Sequence, residues 1–86
     1  MTTRTYGPVS RQQAEQFLTQ AQNNGLTVNR ETNSNGTVAG YGNEVRYSYD
    51  DTKQQIALTL QRHLPFLEGA VWTQVEERLP PGVSRI

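Results

Sequence analysis

The chain reads as an α+β domain in which one helix precedes a four-stranded antiparallel meander and a second helix follows it, both packed on one face of the sheet. Three observations predict this. An apolar stripe at helical spacing runs through "VSRQQAEQFLTQAQNNG", bounded by a start and a stop signal. Four successive stretches, "LTVNRET", "TVAGYG", "EVRYSYD" and "QQIALTLQRH", then alternate with period two, as half-buried strands do. Apolar residues every fourth position, ended by Pro80-Pro81-Gly82, close the pattern.

The first helix is predicted over residues 11–24. Ser10 caps the amide of Gln13 while the Gln13 side chain returns to Ser10, and Val9 and Ala14 flank that box as a hydrophobic staple. Ala14, Phe17, Leu18 and Ala21 follow the i, i+3, i+4, i+7 stripe, and Gly25 supplies a left-handed residue to end the helix.

Parity orders the strands, because a one-residue slip turns every side chain to the opposite face. With Asp51–Gln54 as a four-residue loop, Tyr49 faces Ile56, Tyr47 faces Leu58 and Val45 faces Leu60, all on one side. A two-residue turn at Gly42–Asn43 sets Val38 opposite Tyr47 and Gly40 opposite Val45 on that same face. Leu26 and Val28 join them only if the first hairpin has an odd loop. Ser34-Asn35-Gly36, with Gly36 left-handed in a bulge, meets that need. Pro65 suits the first position of the second helix, whose stripe is Leu67, Val71, Val75 and Leu79.

At 86 residues the chain is a single domain, 1–86, with an ordered core over about 9–79, a flexible N-terminus 1–6 and a Pro/Gly-rich tail 80–86. Eight basic and eight acidic residues are scattered along it, which gives no electrostatic footprint for nucleic acid or an anionic membrane. There is no cysteine, hence no disulfide, thiolate metal site or thiol nucleophile. No stretch approaches the length of a membrane span, and "MTTRTYGPVSRQQ" has neither apolar run nor cleavage site, so a cytoplasmic location is expected. Asn35-Gly36-Thr37 matches a glycosylation acceptor, but without a leader it reads as turn chemistry.

Candidate sites are few. Tyr47 and Tyr49 alternate in a strand and read as inward core residues, with a ligand pocket as the alternative. Gly40, inward among bulky neighbours, leaves a gap that side chains or a small apolar ligand could fill. Trp72 falls at the edge of the second helix's apolar arc and is expected to be half exposed, as core rim or as an interface anchor. The outer strand face, with Tyr41, Arg46, Ser48 and Thr59, is small and polar, and is open to water or to a second copy. His63 has no second histidine to complete a metal site. Asp50 and Asp51 fit turn positions better than a catalytic pair; Glu68, in the first turn of the second helix, suits the helix dipole, and Glu76 and Glu77 read as a solvated helix face. No acid–base pair, nucleophile, metal or cofactor site emerges.

The order helix, four strands, helix, together with "VRYSYDDTKQQIALTLQRHLPFLEGAVWTQVEERL", resembles a family of small uncharacterised bacterial proteins. Over residues 10–79 the chain is also similar to the polyhydroxyalkanoic acid system protein family, the matching parts being Ile56, Leu58, Leu60, Pro65, Phe66 and Leu67. That likeness implies association with polyester granules and no catalytic residue. Two functions are therefore expected. One is a non-enzymatic interaction module that binds itself or another protein through the Trp72 rim or through the edge of the fourth strand, "QQIALTLQRH", which lacks charge before Arg62. The other is a binder of a small apolar ligand or lipid, in a slot between helices and sheet over Gly40.

Overall fold

The computed structural model describes residues 2–63 and 68–86. The expected helix start at Pro65, the Leu67 position of its stripe and Phe66 lie outside the described residues. The chain is α+β with an antiparallel sheet, but the sheet has six strands where four were expected. In order, the elements are β1 (Thr2–Gly7), α1 (Arg11–Asn23), β2 (Thr27–Arg30), β3 (Asn35–Gly40), β4 (Asn43–Asp50), β5 (Gln55–Arg62), α2 (Glu68–Glu77) and β6 (Ser84–Arg85). Side by side the strands run β2-β3-β4-β5-β1-β6.

The correction comes from the two ends of the chain. Thr2–Gly7, left outside the ordered core by the sequence reading, pairs antiparallel with β5 from Thr2↔Leu60 to Tyr6↔Ile56. Ser84–Arg85, assigned to a tail, pairs with β1 on its other side. β5 is thus an interior strand and not a free edge. The segment "TTRTYG" has one ring to bury and so shows no apolar run, yet threonine and tyrosine suit a pleated, half-buried surface. Its alternation is real: Thr2, Arg4 and Tyr6 lie over Leu60, Leu58 and Ile56, while Thr3 and Thr59 share a hydroxyl hydrogen bond of 2.9 Å on the outer face.

α1 forms as its caps dictate. The Ser10 hydroxyl accepts from the Gln13 amide at 3.1 Å, the Gln13 side chain accepts from the Ser10 amide at 3.0 Å, and Gly25 follows the helix at φ +88°.

In the meander the pairing of β4 with β5 is the predicted one, Tyr49↔Ile56, Tyr47↔Leu58 and Val45↔Leu60. Between β3 and β4 the register differs from expectation by two residues. Val38 faces Val45, Gly36 faces Tyr47, and the two-residue turn is Tyr41–Gly42, both left-handed at φ 55° and 83°. A shift of two preserves every face, so Val38, Val45 and Tyr47 still share one side.

The first hairpin pairs Arg30 with Gly36, leaving an odd number of residues between them and bringing Val28 opposite Val38. Gly36 is not left-handed, so the predicted bulge is absent. It is glycine for room: a Cβ there would collide with the Asn29 backbone carbonyl oxygen and lie 2.6 Å from the Tyr47 hydroxyl and 2.8 Å from its ring.

One core cluster takes Ala14 and Leu18 from α1, Trp72 from α2, and Tyr6, Tyr47, Tyr49, Ile56, Leu58 and Leu60 from the sheet. Tyr6 and Leu60 are its most completely enclosed side chains. Trp72, expected half exposed, is 2% exposed. The added strand explains this, because β1 extends the sheet beneath the side of α2 that a four-stranded meander would leave bare. That side carries Glu68, Trp72 and Glu76 at i, i+4, i+8.

Candidate functional site

Two constellations stand out, one a polar clamp and the other an apolar cleft. The clamp joins β1 to α2. Thr2 Oγ1 donates to Glu68 Oε1 at 2.5 Å, and Glu76 Oε2 accepts both from Tyr6 Oη and from Arg4 Nη1 at 2.9 Å. The Arg4 guanidinium also lies 4.9 Å from the centre of the Trp72 ring. Glu76, read from sequence as a solvated face, and Glu68, placed in the first turn for the helix dipole, are also the residues that hold α2 to the sheet.

Burial, then the hydrogen bond to Glu76, pushes the Tyr6 hydroxyl up to about 12. The Glu76 carboxyl is held below its usual range, first by that hydroxyl and then by Arg4. A carboxylate already accepting from two donors is a poor proton acceptor near neutral pH, so the clamp orders structure and offers no general base.

The same holds on the other side of the molecule. The Arg11 guanidinium pairs with Asp51, holds its carboxyl below the usual range, and lies 5.1 Å from the centre of the Tyr49 ring. Asp50 Oδ1 accepts from the Thr52 and Lys53 amides at 2.9 and 3.1 Å, the turn role that its position suggested. Among the described residues no group of three or more His, Asp or Glu is placed to hold a metal ion.

The cleft lies between α1 and α2 over the sheet and has a volume of about 470 Å³. Its floor is Val38, Val45, Tyr47 and Leu58, the row of inward positions on β3, β4 and β5. Phe17, Leu18 and Ala21 form one wall, Ala70, Val71 and Val75 the other. The short side chains of Ala21 and Ala70 leave the space between the two helices unfilled. Leu26, Gly40 and Asn43, with exposed Gln20, Asn24, Tyr41, Gln74 and Arg78, complete the lining.

The sequence candidates divide between cleft and core. Gly40, Tyr41 and Tyr47 line the cleft; Tyr49 and Trp72 do not. Gly40 is crossed by Leu26, whose Cδ2 would lie 2.5 Å from a Cβ at that position, so the gap above the glycine is partly filled and the cleft opens beyond it. Tyr41 is not on the outer strand face but in the β3–β4 turn, 73% exposed, and its hydroxyl donates to the Asn24 carbonyl at 3.1 Å, tying that turn to the end of α1. Burial raises the Tyr47 hydroxyl, which lacks a hydrogen-bond partner among the described residues and lies over Gly36. Tyr49 donates to the Val9 carbonyl at 2.7 Å and is a core residue with its polar tip satisfied.

Sequence reasoning missed Phe17, Leu26, Val71, Val75 and Arg78 as lining residues. The signal available was an alanine on each of two helices that share one sheet face, Ala21 and Ala70. No helix among the described residues is long and apolar enough to cross a membrane. No family model, curated protein or solved structure matches the chain.

Proposed function

We propose that this chain is a non-enzymatic binding module that holds a small apolar molecule in the cleft between its helices. The cleft carries the reading. The space of about 470 Å³ is an open cleft over valine and leucine side chains, apolar surface that a ligand would remove from water. It falls within the roughly 300–1,000 Å³ of ligand pockets that are mostly apolar with a few polar groups at the margin. The interaction-module reading loses its two leading features, since Trp72 is interior and β5 is paired on both sides, and keeps the edge of β2, which Arg30 and the adjacent Glu31 blunt.

The test is a thermal-shift screen of short-chain acyl, aromatic and terpenoid compounds against the chain and its Ala70→Trp variant. Ala70 is exposed, so a larger side chain there fills the cleft mouth without entering the core. A compound at ten times its Kd stabilises by about 1.4 kcal/mol, which for a domain of this size is several degrees at roughly 4–8 °C per kcal/mol. Hits should stabilise the parent and not the variant. A screen without hits, or hits that stabilise both proteins equally, would remove the cleft as the site.

A further inference from the structure

Building on the cleft-binding reading, we infer that the occupant is an amphipathic monoanion, an apolar body ending in a carboxylate that meets Arg78. Every other residue lining the cleft is uncharged. Arg4, Arg11, Arg30 and Arg46 each pair with a carboxylate of the chain, whereas Arg78, at the end of α2, has no ion-pair partner among the described residues. The Arg78 amide donates to the Val75 carbonyl at 3.2 Å, and a cation at a helix C-terminus is favoured by the helix dipole. That accounts for a positive charge at this position. It does not account for the charge lining an otherwise neutral cleft, where an apolar ligand alone would gain nothing from it.

A single planar guanidinium matches one carboxylate in bidentate geometry, while a dianionic phosphate calls for more donors than one arginine supplies. Gln74, four residues earlier and also on the lining, adds an amide donor at the same rim. The geometry therefore gives the ligand a direction: tail toward the floor, head toward solvent at Arg78.

Decanoate, 1-decanol and decylamine share one tail and differ in head charge, so they separate the two readings. Each is titrated below its micellar range near neutral pH, followed by calorimetry and by the fluorescence of the lone tryptophan, against the parent, Arg78→Gln and Arg78→Lys. Arg78 is exposed and outside the core cluster, so both variants should fold. Decanoate should bind the parent about fivefold more tightly than decanol, the equivalent of about 1 kcal/mol for a solvent-exposed charge pair, and decylamine should bind least. Arg78→Gln should abolish the preference for decanoate, and Arg78→Lys should keep part of it. Equal binding of all three compounds, or a decanoate affinity unmoved in Arg78→Gln, overturns the anionic head and leaves the apolar cleft standing. Failure of all three to bind overturns both.

Discussion

Tyr6 is the residue through which the N-terminal strand joins the core, and truncating it tests whether that strand is part of one cooperative unit. Its side chain is 0% exposed, stands opposite Ile56, and donates to Glu76 at 2.9 Å. Removing a fully enclosed aromatic ring withdraws roughly 150 Å² from burial, worth about 4 kcal/mol at 25 cal/mol per Å². Because unfolded chains already shield part of that area, the lower figure of about 3 kcal/mol is the one to expect for Tyr6→Ala. Tyr6→Phe keeps the ring and removes one hydrogen bond. Glu76 retains Arg4 and contact with water, so the acceptor is not orphaned and the loss should be about 1 kcal/mol. Urea denaturation followed by far-UV circular dichroism gives both values and the m-value. A Tyr6→Ala loss below about 1 kcal/mol would refute the reasoning, since β1 would then be detached from the cooperative core. Equal losses for the two variants would show that the hydroxyl, and not the ring, carries the contact.

Gly36→Val should destabilise by more than about 1 kcal/mol because a side chain there collides with the Asn29 backbone carbonyl and the Tyr47 ring. The double variant Gly36→Val/Tyr47→Ala should lose less than the sum of its parts in the same denaturation assay, and strict additivity would leave the Asn29 carbonyl as the sole obstacle and exclude the ring. Acidification should destabilise the fold. Glu31, Asp51, Glu68 and Glu76 are held below their ordinary ranges by Arg46, Arg11, Thr2 and Tyr6 respectively, so their contribution is complete above the usual carboxylate range and fades as pH falls through their folded values. At the alkaline end Tyr6, raised from 10.0 to about 12, contributes below pH 10 and loses that contribution as pH rises toward 12. Urea midpoints flat from neutral pH down to pH 3 would contradict the first claim, and flat midpoints across the alkaline window the second.

The helices and the central hairpin were legible because their signals are local. Ser10 and Gln13 form a capping box wherever the chain goes next, and the Tyr47, Tyr49, Ile56 and Leu58 alternation has one register that keeps every apolar side chain inside. Gly36 shows the limit of such reading: an odd loop was required and found, but the glycine makes room for the Asn29 carbonyl and the Tyr47 ring on its two sides and does not serve the loop. β1 was illegible because its stability is borrowed. Arg4 sits on the inner face only because Trp72 and Glu76 meet it there, and those residues are far along the chain. The cleft shared this fate. Gly40 and Tyr47 could be marked as inward, whereas Arg78 could be attached to them only once α2 had a position over the sheet.

The insertion of β1 between β5 and β6 also sets an order of events. β2 to β5 close short loops, each made from neighbours in the chain, and can assemble as soon as those neighbours meet. β1 must instead bring Tyr6 to Ile56, a loop about seven times longer than the one joining Tyr49 to the same residue, at an additional entropic cost of roughly 1.7 kcal/mol. The meander therefore forms the folding nucleus and the N-terminal strand docks onto it afterwards, so changes in β1 should accelerate unfolding while leaving the refolding rate nearly untouched.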